Sequence, residues 1–474
     1  MAEQDFAKAI TEGYATEGAA IELGRGVHEG ELHQDAIVRI PLATMNRHGL
    51  IAGATGTGKT RTLQLLAEQL SAAGVPVFAA DVKGDLSGLS QPGEAGKAAE
   101  KRQAEVGLRF APVGYPTEYL ALGGIGGGVP VRATVSDFGP QLLAKVLGAN
   151  KTQEQSLTLV FHYADQNGLP LVELSDLRAL LTFLDSDEGK PELKRVGGLS
   201  PATVGVLLRS LIGLEEGGGN QLFGEPQFAI ADLVRSAADG RGVISCLELP
   251  GVQDKPKLFS TALMWMLAEL FEGLPEAGDL DKPKLVFFFD EAHLLFDDAT
   301  DAFLDSVAQT VRLIRSKGVG IIFVTQDPQD LPGEVLGQLG SRVQHALRAF
   351  TPDDAKALKA TVSTYPKSDF YDLGELFGRM GIGEAAVSVL SDRGVPTPVV
   401  HTRLAAPAAS MGPAPDVEAA AKASPLYARY GERLDNRSAR AMPLDIGDFL
   451  RSRQGRRSER QVLRGVFGML RKRL

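Results

Sequence analysis

The chain has 474 residues, of which 44% are hydrophobic and 23% are charged, so it can form a large core with smaller modules beside it. Its formal net charge of −9 at pH 7 excludes a protein that coats nucleic acid over its whole surface, and any contact with DNA must therefore be local. The single cysteine, Cys246, excludes an intramolecular disulfide bond and fits a reducing compartment.

The N-terminal residues carry neither the basic nor the apolar region of a secretion signal. The longest apolar runs, at residues 285–289 and 321–324, are too short to span a bilayer and are typical of buried strands. We therefore expect a cytoplasmic protein without a transmembrane segment.

Strand and helix patterns alternate along most of the chain. Apolar runs predict strands at residues 21–27, 37–42, 75–81, 108–112, 242–249, 284–290, 320–325 and 343–350. Strands that alternate with helices indicate an α/β fold whose mostly parallel sheet is covered on both faces, here interrupted by a helical insertion.

This pattern divides the chain into five parts. We predict a short N-terminal β segment (1–45), a first core part (46–140), a mainly helical insertion (141–240), a second core part (241–403), and a linker with a C-terminal tail (404–474). Residues 405–415 are rich in Ala and Pro, which is typical of a linker.

Residues 53–60 read GATGTGKT and match the pattern G-x-x-x-x-G-K-[ST] at every fixed position. A short apolar run precedes them and a helix-like stretch follows, which is the context that a phosphate-binding loop requires. Glycines let backbone N–H groups surround a polyphosphate, and the helix N-terminus adds further donors. Lys59 would reach the β- and γ-phosphates, and the Thr60 hydroxyl would ligate Mg²⁺. The predicted nucleotide-binding residues are Gly53, Ala54, Thr55, Gly56, Thr57, Gly58, Lys59, Thr60 and Arg61.

A second group of candidate residues follows the apolar run at residues 284–289. Asp290 and Glu291 end this run, and a buried strand can deliver such an acid pair to the edge of a phosphate site. Asp290 would hold Mg²⁺, and Glu291 would act as the general base toward water. The alternative is a strand end where two acids only face solvent. The letters DEAH could suggest a DEAH-box helicase, but the long interval between Lys59 and Asp290 argues against it.

Gln326 ends the next predicted strand. In a parallel sheet it would lie beside the acid pair, where it could sense the γ-phosphate or position water. The alternative is a polar strand end before the turn at Asp327 and Pro328.

The ordered motifs GATGTGKT, FFFDEAH and RLIRSKGVGIIFVTQ resemble the HerA/FtsK superfamily of motor ATPases, and most closely the bacterial HerA-like ATPases. The resemblance covers about residues 46–403. It implies a RecA-like P-loop core, ATP and Mg²⁺ as cofactors, a hexameric ring with sites between subunits, and possible DNA translocation. It also implies an arginine from the neighbouring subunit, for which Arg342 is the first candidate and Arg348 the second. Either arginine could instead be structural or simply exposed.

Two departures from the family pattern limit this resemblance. Only residues 1–45 precede the core, too few for the N-terminal β-barrel of HerA proteins, so a nuclease partner is possible but unsupported. No winged-helix reader of the FtsK type follows the core, so sequence-directed translocation is not supported.

Residues 451–474 are strongly basic, and their apolar residues recur at helical spacing. This tail could bind DNA phosphates, lie on an anionic membrane, or dock as an ordinary helix. The sequence therefore predicts a Mg²⁺-dependent ATPase that works as an oligomeric ring on DNA, a translocase or helicase. Two alternatives remain open: a motor for protein or secretion substrates, and a nucleotide-gated assembly module.

Overall fold

The structure is a computed structural model that describes residues 2–296 and 301–434. Twelve strands form one sheet in these residues. They are β1 (Ala20–His28), β2 (Glu31–Pro41), β3 (Gly49–Ala52), β4 (Val77–Asp81), β5 (Thr117–Leu122), β6 (Val129–Val131), β7 (Ile244–Glu248), β8 (Leu285–Phe289), β9 (Val319–Thr325), β10 (Ser341–Gln344), β11 (Glu384–Ser388) and β12 (Val400–Leu404).

The α-helices vary from one short turn to eighteen residues. They are α1 (Ala2–Gly13), α2 (Lys59–Ala72), α3 (Lys97–Glu105), α4 (Val135–Val146), α5 (Lys151–Gln166), α6 (Leu174–Asp185), α7 (Lys190–Val196), α8 (Pro201–Leu214), α9 (Asn220–Leu222), α10 (Pro256–Gly273), α11 (Asp301–Ile314), α12 (Gly333–Leu336), α13 (Pro352–Ser363), α14 (Leu373–Arg379), α15 (Val417–Ala423) and α16 (Pro425–Tyr430).

The strands lie in the order β2-β1-β12-β11-β10-β3-β9-β8-β4-β7-β5-β6. Neighbouring strands from β10 to β6 are all parallel, whereas β11, β12, β1 and β2 extend the sheet with antiparallel pairs. Central strands such as β8 and β9 are buried along their whole length, as expected for a parallel sheet covered on both faces. The predicted α/β fold with a mostly parallel sheet is confirmed.

The parallel register brings the carboxyl ends of β3, β9, β8 and β4 to one edge of the sheet. Ala52 pairs with Thr325, and Ala80 pairs with Phe289. Loops that follow these strands therefore meet, although they are far apart in the sequence.

Sequence reasoning missed the N-terminal helix α1. This helix packs against the hairpin of β1 and β2, and its Phe6 ring stacks on His28 with the ring centroids 4.8 Å apart. Phe6 and Ile10 are fully buried and stand four residues apart, a spacing that places both on one helix face. The hairpin joins the main sheet because β1 pairs with β12.

The strand predicted at residues 108–112 is wrong. This stretch is irregular and largely exposed, and the strand of this region is β5 instead. The apolar run at 108–112 is short and ends at Pro112, which cannot donate to a neighbouring strand.

Residues 405–415, hereafter the strap, differ from a free linker because they pack on the core. Ala409 is 2% exposed, and the backbone N–H groups of Ala408 and Ala409 both donate to the Glu68 carboxylate at 2.8 Å. Glu68 lies on α2, so the strap crosses the helix that follows the glycine-rich loop.

Among the residues that the structure describes, no helix is long and apolar enough to cross a membrane. The predicted basic tail at residues 451–474 lies outside the described residues.

Candidate active site

The glycine-rich loop connects β3, which ends at Ala52, to α2, which begins at Lys59. Gly53 and Gly58 have φ angles of 151° and 117°, in the region that favours glycine. A Cβ atom at Gly53 would lie 2.5 Å from the Cβ of His345, so this position accepts no side chain without displacing its neighbour. The loop conformation therefore depends on the glycines that the motif specifies.

The side chain of Lys59, the first residue of α2, reaches back over the glycine-rich loop. Its Nζ donates to the carbonyl oxygens of Gly53 at 2.7 Å and Ala54 at 3.3 Å. Burial lowers the pKa of the Lys59 ammonium group, and the nearby Glu291 only partly offsets this effect. The ammonium group is thus held over the loop interior, where a polyphosphate would lie.

A cleft of about 420 Å³ opens beside this loop. Its lining combines loop residues with charged side chains from the neighbouring strand ends: Thr55, Gly56, Gly58, Lys59, Thr60, Arg61, Gln64, Lys83, Asp85, Asp290, Ile382 and Met411. Of the predicted loop residues, Gly53, Ala54 and Thr57 shape the loop without lining this cleft.

Asp290 follows the fully buried strand β8 and is 2% exposed. Burial, and then the neighbouring Glu291, raises the pKa of Asp290 to about 7. Its Oδ2 atom is buried and has no hydrogen-bond partner in residues 2–296 and 301–434. A buried carboxylate oxygen without a partner, in the same cleft as the Thr60 hydroxyl, fits a divalent cation such as Mg²⁺.

Glu291 has a left-handed backbone conformation, with a φ of 46°. The carboxylate forms an ion pair with Lys83 and lies 3.4 Å from His293 Nδ1 and 3.5 Å from Gln326 Nε2. Burial, the largest single effect, raises the pKa of Glu291, but Lys83, Gln326 and His293 together lower it overall. Glu291 is therefore held as a carboxylate with a partner at each oxygen.

Gln326 connects the glycine-rich loop to Glu291. Its Oε1 accepts a hydrogen bond from Thr55 Oγ1 at 3.2 Å, while its amide group faces Glu291. This side chain follows β9, the neighbour of both β3 and β8. The structure thus brings Lys59, Asp290, Glu291 and Gln326 together at one edge of the sheet.

The two candidate arginines differ in their surroundings. Arg342 donates to the Thr364 carbonyl at 3.0 Å and to its hydroxyl at 2.6 Å, and its guanidinium lies 5.4 Å from the Tyr365 ring centroid. These contacts hold Arg342 inside its own subunit. Arg348, four residues after the end of β10, is exposed.

Sequence reasoning missed two residues of this site. His345 is fully buried under the loop, with Nε2 2.9 Å from Thr62 Oγ1, and burial followed by Lys59 lowers its pKa to about 4. Lys83 lies in the turn after β4 and pairs with Glu291. The only local signal for Lys83 is its place in a polar turn directly after a buried strand.

A second cleft of about 270 Å³ continues from the first. Both clefts share Gly58, Arg61, Ile382 and Met411. Arg102 of α3 lies at its edge and donates to the carbonyls of Gly383 at 3.1 Å and Ile382 at 3.2 Å. This mostly apolar space lies next to the loop end and shares part of its lining with the first cleft.

A glycine-rich loop, a buried Asp–Glu pair and a polar residue on adjacent parallel strands define a P-loop ATPase. A family model described as "Helicase HerA-like C-terminal" matches residues 27–472, so the chain belongs to this family, within the HerA/FtsK superfamily of motor ATPases. Lys59, Thr60 and Asp290 in the first cleft fit ATP and Mg²⁺, the cofactors expected from the sequence. A search among curated proteins returned no match.

Solved structures share this fold. The bacterial conjugative coupling protein TrwBdeltaN70 aligns with a TM-score of 0.53 and 14% identity, over 84% of this chain and 91% of that chain. TrwB in complex with ADP and Mg²⁺ aligns with a TM-score of 0.54 and 15% identity, over 82% and 94%. VirB4 of Thermoanaerobacter pseudethanolicus aligns with a TM-score of 0.52 and 15% identity, over 82% and 97%. The RecA-like P-loop core expected from the sequence is thereby confirmed.

Proposed function

We propose that this protein is a Mg²⁺-dependent ATPase that works as a ring-shaped motor on DNA. The observation that supports hydrolysis is that Lys59 and Asp290 line one cleft, while Gln326 contacts both Glu291 and Thr55, a residue of the cleft lining. Apart from Thr55, each of these side chains matches one requirement of phosphoryl transfer: phosphate charge, metal binding, water activation and water positioning.

Lys59 binds the β- and γ-phosphates once they displace the loop carbonyls from its ammonium group. Thr60 and Asp290 would hold Mg²⁺, which would neutralise phosphate charge when bound. Glu291 accepts a proton from the attacking water, and Gln326 orients that water from the neighbouring strand end. The nucleobase occupies the second cleft beside Arg102 and Ile382.

The ring needs a cation from the neighbouring subunit, and we now favour Arg348 for this role. Arg342 already donates to Thr364 in its own subunit, so moving it would break these bonds. Arg348 is exposed on the loop after β10, and β10 pairs with β3, the strand that leads into the glycine-rich loop. Phe350 on the same loop is 87% exposed, which fits burial against a second copy.

DNA is the substrate that we propose, on two grounds. The chain belongs to a family described as helicase-like, and its residues 451–474 combine many arginines in a chain whose total charge is negative. The fold alone does not select DNA, because the solved structures that share it are only 14% and 15% identical to this chain. A motor for protein substrates is therefore the second candidate.

One experiment separates these candidates. The ATPase rate of the full chain is measured with and without double-stranded DNA, with the oligomer mass followed by light scattering. We expect a hexamer and DNA-stimulated turnover, with Glu291→Gln as the inactive control. A hexamer whose turnover ignores DNA favours the protein motor, and a ring without turnover favours the assembly module.

The tail supplies a separate test of DNA binding. Each arginine that neutralises a phosphate steepens the fall of log affinity with log salt by about 0.9 on duplex DNA. Deletion of residues 451–474 should therefore flatten this slope by several units. An unchanged slope, with the oligomer intact, would move the DNA-binding surface to another part of the ring.

A further inference from the structure

The turn after β4 is fixed in position by its own hydrogen bonds. The Asp81 carboxylate accepts the backbone N–H of Gly84 at 2.7 Å and of Leu86 at 2.8 Å. Gly84 has a φ of 77°, and a Cβ atom there would lie 3.1 Å from Pro250 Cγ. The turn therefore presents Lys83 to the nucleotide cleft from a rigid base.

Lys83 and Glu291 form an ion pair whose two members differ in exposure. The Lys83 side chain is 47% exposed, whereas the Glu291 side chain is 7% exposed. A lysine whose only task was to neutralise a buried carboxylate would be buried with it. Lys83 instead lines the cleft together with Lys59 and Thr60, so its ammonium group can leave the carboxylate without leaving the site.

Both oxygens of Glu291 are engaged in this state. Oε1 accepts from Lys83, and Oε2 faces Gln326 and His293. A carboxylate oxygen has two acceptor positions, and Lys83 occupies one of those of Oε1. Departure of Lys83 would open Oε1 fully to water, and Lys83 is the partner with an exposed, flexible side chain.

We propose that Lys83 is a positioning residue that keeps Glu291 inactive until the γ-phosphate of ATP attracts the Lys83 ammonium group. This inference rests on the proposed ATPase function. Arrival of a γ-phosphate places new negative charge in a cleft where Lys83 and Lys59 are the lysines among its lining residues. The ammonium group then binds the phosphate, and Glu291 Oε1 becomes free for the attacking water. ADP lacks this phosphate and leaves the ion pair in place.

The first experiment compares ATP and ADP affinity in a Glu291→Gln background, where ATP stays intact. We expect the added Lys83→Met substitution to weaken ATP binding about tenfold and ADP binding less than twofold, because one charge-assisted contact to the γ-phosphate is lost. Lys83→Arg should restore part of the ATP preference. The matched control is Lys422→Met, since Lys422 is an exposed lysine that pairs with Glu418 far from the cleft.

Equal losses for ATP and ADP would show that Lys83 only supports the fold, and they would overturn the proposal. A second measurement covers the case in which both affinities fall through misfolding. A double-mutant cycle of Lys83→Met and Glu291→Gln, read from thermal unfolding, should show coupling in the free and ADP-bound protein and lose it with a non-hydrolysable ATP analogue. Coupling that persists with the analogue contradicts the switch.

Failure of the proposed ATPase function would give different experimental results from failure of the proposed role of Lys83. If the wild-type protein does not hydrolyse ATP, or if Lys59→Ala binds ATP normally, the ATPase assignment itself is wrong. If turnover is normal but Lys83→Met leaves the ratio of ATP to ADP affinity unchanged, only the role of Lys83 is wrong.

Discussion

Charged side chains have different surroundings in the two halves of the sheet. In the parallel half, from β10 to β6, two acids at strand ends each keep one buried oxygen without a hydrogen-bond partner among the described residues: Asp290 Oδ2 and Glu248 Oε1. Burial raises the pKa of Glu248 to about 8, with a further contribution from Asp81. The surroundings of these two acids therefore disfavour the charged form of the carboxyl group.

In the antiparallel half, from β2 to β11, the charges around Glu384 are paired with one another. Glu384 accepts from His401 at 3.0 Å and from Arg403 at 2.9 Å, and Arg403 also reaches Glu105 of α3 at 2.8 Å. These bonds, that of His401 first, lower the pKa of Glu384 to about 2. The unpaired oxygen of Asp290, in the cleft, therefore fits a ligand site, whereas the paired cluster around Glu384 stabilises the fold.

The largest expected effect lies at the edge of the sheet where the parallel strands β3, β9, β8 and β4 end. Glu291→Gln keeps the size of the side chain but removes the base, so ATP should bind while kcat falls by as much as about 10⁴-fold. Lys59→Ala should weaken nucleotide binding as well, because the charge on the phosphates is lost. Steady-state ATPase assays and binding of a fluorescent nucleotide measure the two effects. Near-normal turnover of Glu291→Gln would contradict the assignment of the base.

The second effect concerns the two arginines. Arg348→Ala should lower kcat by about 10³-fold, the order expected for an arginine supplied across an interface, whereas Arg342→Ala should lower kcat less than tenfold. Mixing Arg348→Ala with Lys59→Ala protein should restore part of the turnover at interfaces that combine an intact loop with an intact arginine. The reverse result, with Arg342→Ala inactive and rescued by mixing, would return the role to Arg342.

The sequence alone predicted which residues meet at the carboxyl ends of the parallel strands, and the reason is topological. A buried strand followed by polar residues is visible in the sequence at residues 49–60, 285–291 and 319–326. Parallel strands end at the same edge, so these local patterns are enough to predict one cleft. The grouping of Lys59, Asp290 and Gln326 follows from pattern and connectivity without knowledge of the strand order.

Other features depend on contacts that no local pattern specifies. Lys83 and Glu291 are 208 residues apart and meet only because β4 lies beside β8. The strap has the composition of a linker, yet its backbone donors are satisfied by Glu68, which is 340 residues away from Ala408. The role of Arg342 likewise depended on the position of α13, where Thr364 caps the helix end.

A third prediction tests the satisfied charges of the antiparallel half. Glu384→Gln should lower the free energy of unfolding by about 3 kcal/mol at pH 7, since the folded protein depresses the pKa of this acid. The folded pKa of about 2 lies below the ordinary value of 4.5, so this stability is present above pH 4.5 and is lost as the pH falls toward 2. Chemical denaturation of both proteins across this range measures the difference. A difference that does not change with pH would contradict the role of the network.

The smallest expected effect is at Glu68, where the change of stability with pH has the opposite sign to that at Glu384. Burial raises the pKa of Glu68 from 4.5 to about 7, against the opposing effect of the hydrogen bonds from Ala408 and Ala409. The folded protein therefore binds a proton more tightly than the unfolded chain, and stability falls as the pH rises from 4.5 to 7. Glu68→Gln should remove this loss, which is on the order of 2 kcal/mol. Burial, and then the charge of Glu68, raises the pKa of Tyr115 to about 12, so Tyr115→Phe serves as the control that keeps the carboxylate.

If wild type and Glu68→Gln lose stability in parallel between pH 4.5 and 7, Glu68 is ionised in the folded protein throughout. The strap would then hold a charged carboxylate as fully satisfied as Glu384, and the contrast between the two halves would not extend to the helix behind the glycine-rich loop.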